Sequence, residues 1–255
     1  MAYINTYRDM LGKHGLTQRD RHVNYLHRDI HSYAPANPAY KPIKIGDNET
    51  FVIVNSQDDY KVKEIVSMPG EHIPFGSAIL FRNAPWIVTS VDIDDEINSK
   101  AIMYMCNCKL QWMAKDGTIY AYDGYAEDAT KYSEGIESTQ YLRIAEFQIK
   151  VKIPVNSISA LIHRDMRFVI DADKYIDQIV AADDRPFVFR VTRRNIITGT
   201  YNNEGYVEIT LVQDQWVEGK DDFKSMLAAQ PWDLESPYPD TDTPSGSDNS
   251  ESGWL

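Results

Sequence analysis

Cysteine is scarce: only Cys106 and Cys108 occur in 255 residues. Two thiols are too few for the disulfide framework of a secreted scaffold. No apolar run approaches the roughly 18–20 residues that span a bilayer. The first residues, MAYINTYRDMLGKHG, lack a basic start followed by an apolar core. No secretory signal is expected, and synthesis in a cytosol is the expectation. Without secretion, the triplet Asn48-Glu49-Thr50 carries no expected glycan. Catalytic signatures are missing too. The sequence holds no G-x-S-x-G elbow, no P-loop and no G-x-G-x-x-G.

Basic residues are outnumbered. The formal net charge is −12 and the pI about 4.9. Six acids and no base fall within 233–255: Asp233, Glu235, Asp240, Asp242, Asp248 and Glu251. That stretch is rich in Pro, Ser, Asp and Gly, a composition that cannot offset its ordering entropy, so a disordered acidic tail is expected. The start of the chain has the opposite balance. Arg8, Lys13, Arg19, Arg21, Arg28, Lys41 and Lys44 face only Asp9, Asp20 and Asp29. An acidic body opposes DNA binding over the whole surface, yet suits a wall past which DNA slides.

What is present is β pattern. Residues 1–44 read as an N-terminal helical and extended arm. Thr17 caps a helix through Val23, Leu26, His27 and Ile30, and APANPAYKP (34–42) is an extended linker. TFVIVNS, YKVKEIVSM and PWIVTSVDI follow as β-rich runs. In AIMYMCNCKLQW (101–112), Ile102, Tyr104, Cys106, Cys108, Leu110 and Trp112 fall on alternate positions. One strand with one buried face is expected there, turning at KDG (115–117) into TIYAYDG. AEFQIKVKIP (145–154) alternates most cleanly, placing Phe147, Ile149, Val151 and Ile153 on one face. RFVID, PFVFRVTRR and GYVEITLVQDQ follow, with YNNEG (201–205) as a turn. The expected fold is mainly β, in small barrel or sandwich modules. The expected blocks are 45–140 and 141–218, then a short helix over 219–232 and the tail at 233–255.

Candidate sites are sparse. Cys106 and Cys108, at i and i+2 on a strand, have Cα atoms roughly 6.6 Å apart, the long edge for a disulfide. A closed zinc site needs two further ligands, so core packing is their expected role. His27 and His31 share a helix face at i, i+4, but Arg28, Asp29 and Ile30 between them hold no Glu in the H-E-x-x-H place. HRD occurs at 27–29 and 163–165 without the Leu, Asn and Gly-rich loop of a kinase. The clusters DIDDE (92–96) and AADDR (181–185) lack EF-hand spacing. Solvated loops are expected there; in a metal-dependent enzyme, Asp92, Asp94, Asp95 and Glu96 would be the ligands. Tyr3, Tyr7, Tyr25, Tyr33 and Tyr40 have no local core in the arm, and a partner surface is one reading of them.

The Trp86-centred strand, the acidic loop and the strand formed by Cys106, Asn107, Leu110 and Trp112 together carry a resemblance. With RFVID, PFVFRVTRRNII and GYVEITLVQDQW, residues 50–220 resemble the head-closure, or neck, proteins of tailed bacteriophages of Gram-positive hosts. The resemblance implies a virion structural protein, not an enzyme, assembled in the bacterial host cytoplasm. It implies a homo-oligomeric ring at the head–tail connector, between a portal or adaptor protein and a tail-terminator or tail protein. Packaged DNA passes through its channel, and no membrane is involved. It assigns no catalytic, cofactor-binding or metal-ligating residue. Another tail or baseplate role, and the metal-dependent enzyme, stand as alternatives.

Overall fold

In a computed structural model, residues 17–92, 97–129, 148–170, 187–202, 204–222 and 224–234 are described, with 3, 4, 6, 7 and 15. The fold is mainly β, with two barrel-like sheets behind an N-terminal helix. Helix α1 spans Gln18–Tyr33. The Thr17 hydroxyl accepts from the Asp20 N–H, and the Asp20 carboxylate accepts from the Thr17 N–H, each at 3.0 Å. This reciprocal pair satisfies N–H groups that a helix start otherwise leaves open. Ala34–Ala36 then forms one 3-10 turn, and Pro35 cannot donate to continue the helix. Val23, Leu26 and Ile30 are half-buried, and no residue of α1 is fully buried.

Six antiparallel strands build the first barrel: β1 (Tyr40–Ile45), β2 (Asn48–Ser56), β3 (Val62–Val66), β4 (Ala78–Phe81), β5 (Ala84–Asp92) and β6 (Lys100–Met105). They close in the order β1-β2-β3-β6-β5-β4. Closure gives every strand two neighbours, although β1 has its second only at Lys44 and Ile45. Ile43, Val52, Ile65, Ile79, Trp86, Val88 and Met103 fill the interior. The linker expected over 34–42 is shorter than its prolines imply, because Pro42 lies inside β1. That strand pairs with β4 only at Lys44 and Ile45, so Pro42 sits where β1 has a single neighbour.

The single strand expected over 101–112 is two strands in two sheets. In β6 the odd positions Ala101 and Met103 are buried and Ile102 is exposed. In β7 (Cys108–Met113) the even positions Leu110 and Trp112 are buried. The two β-spaced sets read as one because both halves alternate with the same period; the break at Cys106 and Asn107 exchanges the faces.

The second sheet contains β7, β8 (Ile119–Asp128), β9 (Gln148–Pro154), β10 (Arg167–Ile170), β11 (Phe187–Asn195), β12 (Thr200–Tyr201) and β13 (Glu204–Asp214). Its order is β10-β11-β13-β9-β8-β7, with β12 on β13. β10 packs back against β7, and the Trp112 and Phe168 rings meet edge-on at 6.0 Å, curling the sheet into a barrel-like form. The division between sheets therefore falls at residues 106–107, not at 140/141. The helix expected over 219–232 is instead a set of turns with one bridge, Asp222 to Leu227. The expected tail beyond Leu234 lies outside the described residues, as do Phe147, residues 93–96 and the cluster 181–185.

Candidate functional site

The chain crosses between barrels at Cys106 and Asn107. The Cys106 N–H donates to the Pro85 carbonyl of the first barrel, and the Asn107 N–H donates to the Gly124 carbonyl of the second. The Asn107 side chain then imitates one more strand residue. Its Nδ2 donates to the Ala126 carbonyl at 2.9 Å, and its Oδ1 accepts from the Ala126 N–H at 2.7 Å. Aligned this way, an amide gives β8 the bonds that a missing partner strand would have made.

Against this crossing, Lys152 of β9 stands among aromatic rings from both barrels. Its Nζ lies 5.9 Å from the ring centroid of Tyr104 in β6, and 5.7 Å from those of Tyr125 and Tyr206 in the second barrel. It also donates to Glu127 Oε1 at 3.0 Å. Cation–π attraction and one ion pair compensate a side chain that is only 15 % exposed. Tyr104 and Tyr125 pack at 4.6 Å between centroids.

A second contact joins the barrels nearby. The Phe75 N–H donates to Glu204 Oε2 at 3.2 Å, His72 lies 3.5 Å from the same oxygen, and Phe75 packs edge-on against Tyr206. Gly76, at φ +75°, faces Gly205, at φ +141°, so closely that a Cβ on Gly76 would collide with the Gly205 backbone. Beside the junction lies an open groove of about 580 Å³, lined by Asp59, Lys61, Tyr104, Asn107 and the Tyr125–Asp128 stretch of β8. Among the described residues it offers mixed charge and no nucleophile held by a base.

The far end of the second barrel is tied by Arg167, the first residue of β10. Its guanidinium donates to both Asp221 oxygens, at 2.9 and 3.0 Å, to Asp214 Oδ2 at 2.9 Å, and to the Gln215 and Ala229 carbonyls. The Gln230 amide returns two bonds to the Arg167 backbone. Arg167 and Asp221 are both buried, and every donor of the planar fork is directed at an oxygen. The network pins residues 214–230 across the barrel end. Next to it, a cavity of about 440 Å³ has Trp112 and Met166 in its wall, and Leu161, Lys115, His163, Arg164, Pro231 and Trp232 around its mouth.

The residues singled out in the sequence are scattered. Cys106 and Cys108 form no disulfide and are half-buried. Burial, with Asp123 and Cys108 adding to it, pushes the Cys106 thiol up to about 12; that is the reverse of a reactive or metal-binding cysteine. Cys108 lies beside the Gly124 carbonyl, with Sγ 3.3 Å from its oxygen. Asp92 ends β5, opposite Lys100, and its partners in the acidic loop are outside the described residues. His27 is half-buried on α1 and His31 exposed. Among the described residues, no group of three or more His, Cys, Asp or Glu is placed to hold a metal ion. The second HRD triplet is a loop: Asp165 takes φ +70° and accepts from Arg190. Tyr3, Tyr7, Tyr25 and Tyr33 are exposed, whereas Tyr40 stacks on Phe51 at 5.1 Å.

Sequence reading missed Lys152, Arg167 and Gln230. Lys152 lies on the face of β9 opposite Ile149, Val151 and Ile153, where alternation alone gives no sign of a partner. Arg167 carries a weak signal, as the lone charge opening a four-residue strand buried throughout.

The chain matches no family model, and no curated protein matches it. Among solved structures it aligns with MrkH of K. pneumonia in its apo state at a TM-score of 0.24 and 11% identity, over 80% of this chain and 88% of that one. The MrkH–c-di-GMP complex aligns at a TM-score of 0.22 and 11% identity, over 80% of this chain and 90% of that one. Overlap this slight carries neither fold nor function to this chain.

Proposed function

We propose that the chain is a virion structural protein of a phage neck, forming a homo-oligomeric ring that closes the head and retains or passes DNA. The carrying observation is the arm. A capped helix of 16 residues, Gln18–Tyr33, has no buried residue and keeps Val23, Leu26 and Ile30 only half-covered. Apolar side chains at helical spacing gain by burial, and this chain's own barrels leave that gain unrealised. Tyr25 and Tyr33 on the same helix are exposed as well. A neighbouring copy supplies the missing cover in a ring, where each arm reaches the next subunit. Portal or adaptor protein on one side and a tail protein on the other complete the assembly. The resemblance of residues 50–220 to neck proteins points the same way.

The acidic balance of the chain fits a channel that must release DNA, since a negative wall opposes sticking. Deleting residues 1–34 tests the reading. The shortened chain is expected to keep its barrels and lose both self-association and attachment to DNA-filled capsids. Unchanged association and attachment would overturn it.

A further inference from the structure

The cavity at the end of the second barrel combines an apolar floor with a basic mouth. Trp112 and Met166 are buried in its floor, while Leu161 and Trp232 stay 42% and 38% exposed at its mouth. Lys115 stands over the Trp232 ring at 5.6 Å, and His163 and Arg164 are exposed on the facing loop. Among the described residues no acid lines the cavity. The acids nearest in sequence are turned elsewhere. Asp116 accepts from the Thr118 N–H at 2.9 Å, Asp165 from Arg190 at 3.4 Å, and Asp233 from the Gln230 N–H at 3.1 Å. Both walls are held in place. The buried Gln230 amide is bonded to the Arg167 backbone through its oxygen and its nitrogen, and the Asp233 N–H donates back to the Gln230 carbonyl at 2.9 Å, which fixes Pro231 and Trp232 between them. Opposite, the His163 N–H donates to Met166 Sδ at 3.2 Å across the turn that carries Arg164. A slot held this way receives a ring without first paying to order its walls.

We propose that this cavity receives one aromatic side chain from an acidic segment of a partner protein. The ring lies between Leu161 and Trp232, above Trp112 and Met166, and the carboxylates on either side of it meet Lys115 and Arg164. Depth separates the two halves of the contact. The buried lining is apolar and the cations stand exposed at the rim, so the carboxylates flank the ring along a chain and are not carried on it. A volume of about 440 Å³ lies at the lower end of ligand cavities and suits a single aromatic side chain, with the rest of the segment crossing the surface. An aromatic anchor in a preformed pocket, ringed by contacts that exclude water, is the arrangement that carries most of the binding at protein interfaces. The rim supplies the choice of partner. Cations with no acid beside them favour an acidic segment and reject a basic one. The contact needs one chain and one segment. The neck reading can therefore fail with this contact intact, and the contact can fail with the ring intact.

Fluorine NMR of the full chain carrying fluorotryptophan, titrated with the blocked peptide acetyl-Glu-Glu-Trp-Glu-Glu-amide, tests this inference independently of ring formation. The chain has five tryptophans, and Trp112→Phe and Trp232→Phe assign two of the signals. Those two are expected to move together and to saturate at peptide concentrations on the order of 1 mM, while the Trp86 signal of the first barrel stays in place. A peptide with Lys in place of Glu is expected to bind about tenfold more weakly, and so is the acidic peptide to Lys115→Glu/Arg164→Glu. Leu161→Glu puts one acid at an exposed position of the same mouth and is expected to weaken binding as well, which keeps the test open if the double charge reversal misfolds. Trp112 and Trp232 signals that do not move overturn the proposal, as does equal binding of the acidic and basic peptides. Indole-3-acetate binding as tightly as the peptide assigns the cavity to a small aromatic acid and overturns docking of a segment. Signals that move with protein concentration alone assign it to a second copy and overturn the separate partner.

Discussion

Lys152 donates to Glu127 across 3.0 Å at the junction of the two barrels, with tyrosine rings from both barrels about its Nζ. The pair is partly screened, with side chains 15% and 28% exposed, so its own worth is modest. Removing one partner is worse than removing both, because the remaining charge keeps its burial and loses its compensation. Lys152→Met is expected to lower unfolding stability by about 1–3 kcal/mol. Adding Glu127→Gln to it is expected to restore part of that loss. A double-mutant cycle in urea reads the coupling, and additive single effects would contradict it.

Arg167 is the more demanding position. Its network joins Asp214 and Asp221 and holds Ala229 and Gln230 over the barrel end. Arg167→Ala leaves the buried Asp221 carboxylate without its counter-charge, a change that costs about 3–5 kcal/mol. Hydrogen exchange is expected to rise over residues 214–234 before it rises over β9 and β13. Uniform loosening of the whole sheet would argue against a local strap. Arg167→Lys is expected to rescue little, since an ammonium cannot reach two carboxylates and two carbonyls in one plane.

Gly76 and Gly46 make a matched comparison. Both take positive φ, +75° and +60°, but a Cβ at Gly46 meets nothing within 4 Å, whereas at Gly76 it strikes Gly205. Gly46→Ala is expected to cost about 1–2 kcal/mol, the left-handed penalty alone. Gly76→Ala is expected to cost more and to split thermal unfolding into two transitions as the barrels separate. Equal costs for the two would remove Gly76 from the junction.

Cys106 offers a chemical check. With its thiol raised to about 12 by burial, little thiolate exists at pH 8. Alkylation of Cys106 in Cys108→Ala is expected to run about a thousandfold slower than for a free cysteine of pKa near 8.5. Alkylation at the free-thiol rate would show an open, activated sulfur instead.

The arm carries a pH dependence of known sign. Hydrogen bonds from the Thr17 backbone and then its hydroxyl hold the Asp20 carboxyl below its ordinary value of 3.8. A lowered folded pKa stabilises above the unfolded value and loses that contribution as pH falls through the lowered one. Helicity of α1, followed by circular dichroism against Asp20→Asn, is expected to fall in acid below pH 3.8 in the parent and to lack that step in the variant. Identical acid profiles would detach the capping box from Asp20.

The strands were legible because their alternation is local. Ile149, Val151 and Ile153 on β9, and Val207, Ile209 and Leu211 on β13, are buried at period two. Thr17 was legible as a cap because its partner lies three residues away. The sheet boundary at Cys106–Asn107 was not, since both strands keep one period and only the partners reveal the exchanged face. Pro42 argued against a strand, and the one-sided pairing of β1 that tolerates it is a tertiary fact. Lys152 and Arg167 were hidden for the same reason. Tyr104 is 48 residues from Lys152 in sequence, and Asp221 is 54 from Arg167, so nothing near either residue announces its role.

In the proposed neck ring, the arm finds its cover on another copy. The most direct measurement is the mass of the purified chain by light scattering, alone and then mixed with DNA-filled particles lacking tails. A ring in solution is expected, or a monomer that becomes a bound ring on those particles, with residues 1–34 required in either case. A chain that stays monomeric and ignores the particles would contradict it.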